Sequence, residues 1–190
     1  MEHRHSIAVV SRRTVALVTV AVALVALPGT RAVADSNEAR WRGLVGVWSV
    51  QVTLRNCVTN AALGPPFNSL VTFHPGGTVS EATSSLSFAP GQRSPGHGVW
   101  TREPGHTFGQ SMVALILFET PANLPGTPGF DPSKPVSPGF RAGWQTVTHT
   151  ITPTDADHIT SAGTNAFYAT SGAVDPYRTG CSTAVGQRFE

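Results

Sequence analysis

With 190 residues, 40% of them hydrophobic and 13% charged, and a formal net charge of +2, the chain has the length of one globular domain and enough apolar content for a core. Charge this sparse excludes a disordered acidic or basic tail. No collagen-like period or helical repeat is present, which excludes fibrous and solenoid architectures.

In chain order, residues 1–34 read as an export signal. Arg12 and Arg13 precede the apolar stretch Val15–Leu27, Pro28 and Gly29 break it, and Ala32-Val33-Ala34 supplies small residues for cleavage. A membrane anchor is the competing reading, but this stretch falls short of the roughly 20 apolar residues that span hydrocarbon. Ser11-Arg12-Arg13 resembles a twin-arginine signal, and the choice between that route and general secretion stays open. Cleavage removes Arg4, Arg12, Arg13, Arg31 and Glu2, leaving nine cations against ten acids over residues 35–190. The basic balance therefore belongs to the leader. The mature domain is expected in a secreted or cell-envelope compartment, with no electrostatic drive towards nucleic acid or a membrane surface and no stable membrane span.

Asn37–Leu44 suits a short helix that covers one end of the domain. From Gly46 onward apolar residues recur at every second position, the signature of half-buried strands. Trp48, Val50, Val52 and Leu54 share one face of the first. The later candidates are Asn68–His74, Thr78–Leu86, Gly98–Glu103, Thr107–Glu119, Phe140–Ile151, His158–Thr170 and Gly180–Phe189. Pro75-Gly76-Gly77, Glu103-Pro104-Gly105-His106 and Thr152–Asp157 carry hairpin and turn chemistry. Short links between eight strands predict an all-β, antiparallel up-and-down barrel, whose closure removes both exposed edges. A two-sheet sandwich is the competing architecture.

Cys57 and Cys181 are the only cysteines, and in an oxidising compartment they pair by default. Barrel closure makes the first and last strands neighbours, so the two cysteines meet at one rim. Residues 120–139 contain six prolines, which cannot donate to a sheet. That segment is either a tolerated surface loop or a lid over the barrel mouth.

No nucleophile elbow, zinc-protease helix, phosphate loop or cofactor motif is present. His74, His97, His106, His149 and His158 lack metal-ligand spacing, so neither a metal nor a cofactor is expected. Trp100 and Arg102 share a face of the fourth strand beside Gly96 and Gly98. An aromatic next to a guanidinium suits an apolar ligand with a carboxylate or carbonyl. Glu81, on the neighbouring strand, is placed to pair with Arg102 or to act as an acid or base if buried. Met112, Ala114, Ile116 and Phe118 share one face of the fifth strand, opposite Val113, Leu115 and Leu117. Phe140, Ala142 and Trp144, with Ala162, Ala166 and Tyr168, suggest an interior in which small residues separate aromatic walls.

Gly46-Val47-Trp48 together with Arg188 resembles the calycin superfamily, the lipocalins and their relatives, in which a G-x-W tryptophan on the first strand is covered by an arginine from near the domain's end. The Phe73-His74-Pro75-Gly76-Gly77-Thr78 hairpin is similar to the second turn of lipocalin-like and allene-oxide-cyclase-like barrels. Lipocalins usually carry a C-terminal helix on the barrel; here the sequence ends two residues beyond Arg188, which points to a more compact relative. The resemblance implies a barrel that holds a small hydrophobic molecule, or an isomerase or cyclase that preorganises a flexible apolar substrate as in allene-oxide-cyclase-like or polyketide-cyclase-like barrels. On either reading Trp100, Phe118, Trp144 and Tyr168 are the expected walls and Arg102 with Glu81 the polar contact. Glu81 and Tyr168 are the candidate catalytic groups. A secreted interaction module, acting through the proline-rich loop or the outer face of the fifth strand, is a third reading.

Overall fold

The computed structural model describes residues 43–85, 87–170 and 174–189. The export signal expected over 1–34 lies outside them, as does most of the helix expected over Asn37–Leu44; Gly43 and Leu44 form a turn. Eight antiparallel strands follow: β1 (Gly46–Arg55), β2 (Phe67–Phe73), β3 (Thr78–Thr83), β4 (Gly96–Arg102), β5 (Phe108–Ile116), β6 (Gly143–Pro153), β7 (His158–Ala169) and β8 (Arg178–Arg188). Each pairs with the next, and β8 returns to β1, so the sheet is a closed meander barrel. The expected strands are present with shifted ends. Phe140, expected in a strand, stands before β6 and forms only an isolated bridge with Thr120.

Closure places the cysteines as the topology requires. Arg55 is level with Cys181 across β1 and β8, and Cys57, two residues on, forms the Cys57–Cys181 disulfide with Cα atoms 5.2 Å apart. Among the described residues no helix is long and apolar enough to cross a membrane.

The two barrel ends differ in loop length. At one end β2–β3, β4–β5 and β6–β7 are joined by links of only a few residues. Under these hairpins the interior is solid. Trp48 and Leu44 are fully buried, and the Trp48 indole donates to the Leu44 carbonyl at 2.8 Å. Trp100 meets Phe73 and Phe108 edge-on at centroid separations of 6.0 and 5.7 Å, the arrangement favoured by aromatic quadrupoles. Arg188 closes this end from outside. Its guanidinium lies 4.4 Å from the Trp48 ring centroid and donates to the carbonyls of Val45, Gly43 and Ala156.

The opposite end carries the long connections, 56–66, 84–95, 117–142 and 170–177. The proline-rich segment is held by specific bonds. The Asn123 amide donates to the carbonyls of Asp131, Lys134 and Pro135 and accepts from the Asp131 amide. The buried Gln92 side chain donates to the Phe118 carbonyl and the Thr120 hydroxyl. Phe88 stacks on Phe140 at 4.5 Å beside Phe167, which forms a small apolar cluster at this rim. The segment is thus tied to this rim by specific bonds.

Replacing Arg188 by methionine keeps an unbranched stem but removes five donated bonds and the charge over Trp48. The expected cost is about 1–3 kcal/mol, measured as a lower urea midpoint. Breaking the disulfide with Cys57→Ser and Cys181→Ser together frees a long loop in the unfolded chain, and a loss of roughly 2–5 kcal/mol is expected in the same measurement.

Candidate functional site

A cavity of about 100 Å³ opens above the solid end and faces the long-loop rim. Its walls come from the inward positions of the strands. β1 and β2 supply Val50, Val52, Leu54, Phe67 and Val71, an apolar wall. From β5 to β8 the inward positions supply Gln110, Gln145, His149, Ser161, Asn165 and Ser182. Between these walls stand Ser69, Glu81, Thr83 and Arg93.

Arg93 is the hub. It lies in the link before β4, where it forms an isolated bridge with Ile116, and its side chain turns into the barrel. Its Nη1 is 2.8 Å from Glu81 Oε2, with both side chains over nine-tenths buried. Its Nε donates to Gln145 Oε1 at 2.7 Å, so one guanidinium connects β3 to β6. Ser69 donates to the other Glu81 oxygen at 2.9 Å. Glu81 faces Gly96 across the β3–β4 ladder, and a methyl group at Gly96 would lie 2.8 Å from Glu81 Oε2. Glycine is what leaves room for the ion pair.

Deeper in the cavity His149 lies between two hydroxyls, Nδ1 3.0 Å from Ser161 Oγ and Nε2 2.9 Å from Ser182 Oγ. One nitrogen donates and the other accepts when the ring is neutral. Burial pushes its pKa down from 6.5 to about 4, because the charged ring would lose its hydration. Gly163 faces His149 on β7, and a methyl there would collide with the imidazole and the Thr148 carbonyl.

The structure divides the residues singled out from sequence. Glu81 is in the cavity, but its partner is Arg93, not Arg102. Arg102 ends β4 at the solid end, 3.4 Å from His106. Trp100 points inward as expected, yet it is 1% exposed and belongs to the packed floor. Its indole donates to the His74 carbonyl. Phe118 lies beyond the end of β5 and is 41% exposed. Trp144 and Tyr168 stack at 5.3 Å, but on the outside of the barrel. Their neighbours Gln145, Phe167 and Ala169 take the inward positions. Trp144, Ala162, Ala166 and Tyr168, expected in the interior, are therefore corrected to the outer face, and Ala142, expected with them, stands in the link before β6. At these positions the inward Gln145 and Asn165 are polar and the outward Trp144 and Tyr168 aromatic, so a rule that puts aromatic side chains inside selects the wrong face there. On β5 the expected face is the inner one for Met112, Ala114 and Ile116.

Sequence reasoning missed Arg93, Gln110, Gln145 and Asn165, and gave His149 no role beyond that of a scattered histidine. The available signal was the alternation Gln145-Thr146-Val147-Thr148-His149: threonines on one face, with glutamine and histidine on the face that the barrel encloses. Among the described residues no three acidic, histidine or cysteine side chains gather as metal ligands.

No model of a known protein family matches the sequence, and no curated protein matches it. The site therefore rests on its geometry.

The His149 shift makes stability depend on pH. The unfolded histidine takes a proton as pH falls below 6.5, while the folded one resists until about 4, so stability is lost across that window as pH falls. The expected contribution is about 3 kcal/mol, at roughly 1.4 kcal/mol per pKa unit. Urea titrations between pH 7 and 4 should show a slope that disappears in His149→Gln. For the ion pair, Arg93→Met alone strands a buried carboxylate and is expected to cost about 3–5 kcal/mol. Adding Glu81→Gln should recover most of that loss in the same assay.

Proposed function

We propose that this domain is exported and binds a small, largely apolar molecule in the barrel cavity, entering from the long-loop end. The observation that carries the reading is the cavity itself: a closed barrel packed solid at one end and left open at the other, with buried polar groups aimed into the space. Small-molecule sites combine a mainly apolar lining with a few placed polar groups. Here β1 and β2 provide the apolar wall, and Glu81 with Arg93 the fixed polar contact. The Cys57–Cys181 bond supports an oxidising compartment. The contact of Arg188 with Trp48 supports a relationship to calycin-like barrels.

A second reading is favoured by one observation. The cavity holds two side chains of acid–base type, Glu81 on β3 and His149 on β6. A cofactor-independent isomerase or cyclase needs little more than such groups and an enclosing shape, since orientation supplies much of the rate.

Native mass spectrometry of the protein from its own exported fraction tests the first reading. The expected result is an added mass that leaves as an organic molecule. Val52→Trp, which fills the mouth of the cavity, should release it, while the barrel keeps its far-ultraviolet circular dichroism. A clean polypeptide mass from every preparation, together with no binding to the small-molecule probes described below, would remove the reading. Turnover to an isomer of equal mass, lost in Glu81→Gln but retained in Tyr168→Phe, would establish the enzyme instead; Tyr168 lies outside the barrel and serves as the control.

A further inference from the structure

Three of the amide side chains in the cavity have hydrogen-bonding capacity that the protein leaves unused. Gln110, Gln145 and Asn165 are 8%, 8% and 9% exposed, and each lines the cavity. Gln145 uses its oxygen to accept from Arg93, which leaves its amino group free. The side chains of Gln110 and Asn165 make no hydrogen bond among the described residues. Thr83 Oγ1 is likewise buried without one. Polar groups withdrawn from bulk water are nearly always paired. Thr83 Oγ1 is sealed off, while Gln110, Gln145 and Asn165 turn their unused donors and acceptors to the open cavity, where a partner that fills it would pair them.

The wall opposite is hydrocarbon, from Val50, Val52, Leu54, Phe67 and Val71. The partner is therefore two-sided. It is also uncharged: Glu81 and Arg93 neutralise each other at 2.8 Å, and His149 is neutral at ordinary pH, so the cavity offers no excess charge to compensate an ion. At about 100 Å³ the cavity is smaller than the roughly 150 Å³ engineered cavity that takes up benzene, so a single ring fits only with part of it towards the open rim, and an extended chain does not fit inside.

We propose that the cavity recognises an uncharged ring compound that carries hydroxyl or carbonyl groups along one edge and hydrocarbon along the other, with Gln110, Gln145 and Asn165 reading the oxygenated edge. This rests on the small-molecule reading above and narrows its ligand class. Free amides serve both oxygen types, since each amide carries a donor and an acceptor. A plain hydrocarbon leaves them unpaired, and sites of this kind discriminate strongly against ligands that lack the matching group.

Three probes of closely similar shape test it: 3-hydroxyacetophenone, its anionic counterpart 3-hydroxybenzoate, and the hydrocarbon 3-ethyltoluene, each titrated at pH 7 with chemical-shift perturbation as the readout. The expected result is that 3-hydroxyacetophenone binds at least about tenfold tighter than either of the others. In Gln110→Leu and Asn165→Leu its advantage over 3-ethyltoluene should fall at least about threefold, while the melting temperature holds or rises, because an apolar side chain of similar shape replaces an unpaired amide. Equal or tighter binding of the hydrocarbon or the carboxylate would overturn the ligand class and leave the cavity reading standing. So would variants that lose several degrees of stability yet keep the preference, since the amides would then be structural. If none of the three perturbs resonances of the cavity wall, the cavity reading fails and the ligand class falls with it.

Discussion

The barrel depends on one closing contact. β8 pairs with β1 over eight positions, from Trp48 with Arg188 to Arg55 with Cys181. At the first of these the guanidinium covers the indole and ties down the backbone on either side. With that end sealed and packed with Trp48, Phe73, Trp100 and Phe108, any interior space must lie towards the other end. The disulfide fixes the same pair of strands at the far rim. Closure at both ends of one seam holds the interior wall in shape without requiring the interior to be full.

That separation of duties explains how the barrel tolerates a polar interior. A buried ion pair is usually no more stabilising than apolar residues of the same volume, so Glu81 and Arg93 contribute little as a device for folding. Their geometry is nonetheless prepared at several points: Gly96 makes room, Ser69 donates to one carboxylate oxygen, and Gln145 accepts from Arg93. His149 is held in the same way, between two serines and against a glycine. The main packed core lies at the sealed end and the polar cavity towards the open one.

The fold was legible because its signals were local. Alternation along Trp48–Leu54, the Pro75-Gly76-Gly77 and Glu103–His106 turns, and the lack of any long amphipathic pattern from Gly46 onward define a meander of strands, and two cysteines near opposite ends of that stretch agree with its closure. The cavity was half legible. Glu81 could be placed on an inner face beside β4, but its partner sits in a link whose path no periodicity describes, so Arg102, nearer in pattern, took the place of Arg93. Trp144 and Tyr168 show the limit of the pattern itself. In β6 and β7 both faces carry mixed residues, and period-2 alternation identifies two faces without saying which is inside. The usual tie-breaker sends aromatic residues inward, and here it fails because Trp144 and Tyr168 shield each other on the outer face by stacking.

The outward aromatic pair and the inward amides belong to one exchange. At one pair of positions on β6 and β7 the expected placement is reversed: Trp144 and Tyr168 cover each other outside, while Gln145, His149, Asn165 and Ser161 face the cavity beside Val147, Ile151 and Ile159. A protein selected for stability alone would reverse this, since stacked aromatics stabilise more when buried and amides cost less when exposed. The amides and His149 lie on β5 to β7, and the hydrocarbon patch of Val50, Val52, Leu54, Phe67 and Val71 faces them from β1 and β2, interrupted by Ser69. Glu81, Thr83 and Arg93 add polar groups between the two, and the formal charges of Glu81 and Arg93 offset each other. The cavity surface is therefore graded from mainly apolar to mainly polar around the barrel.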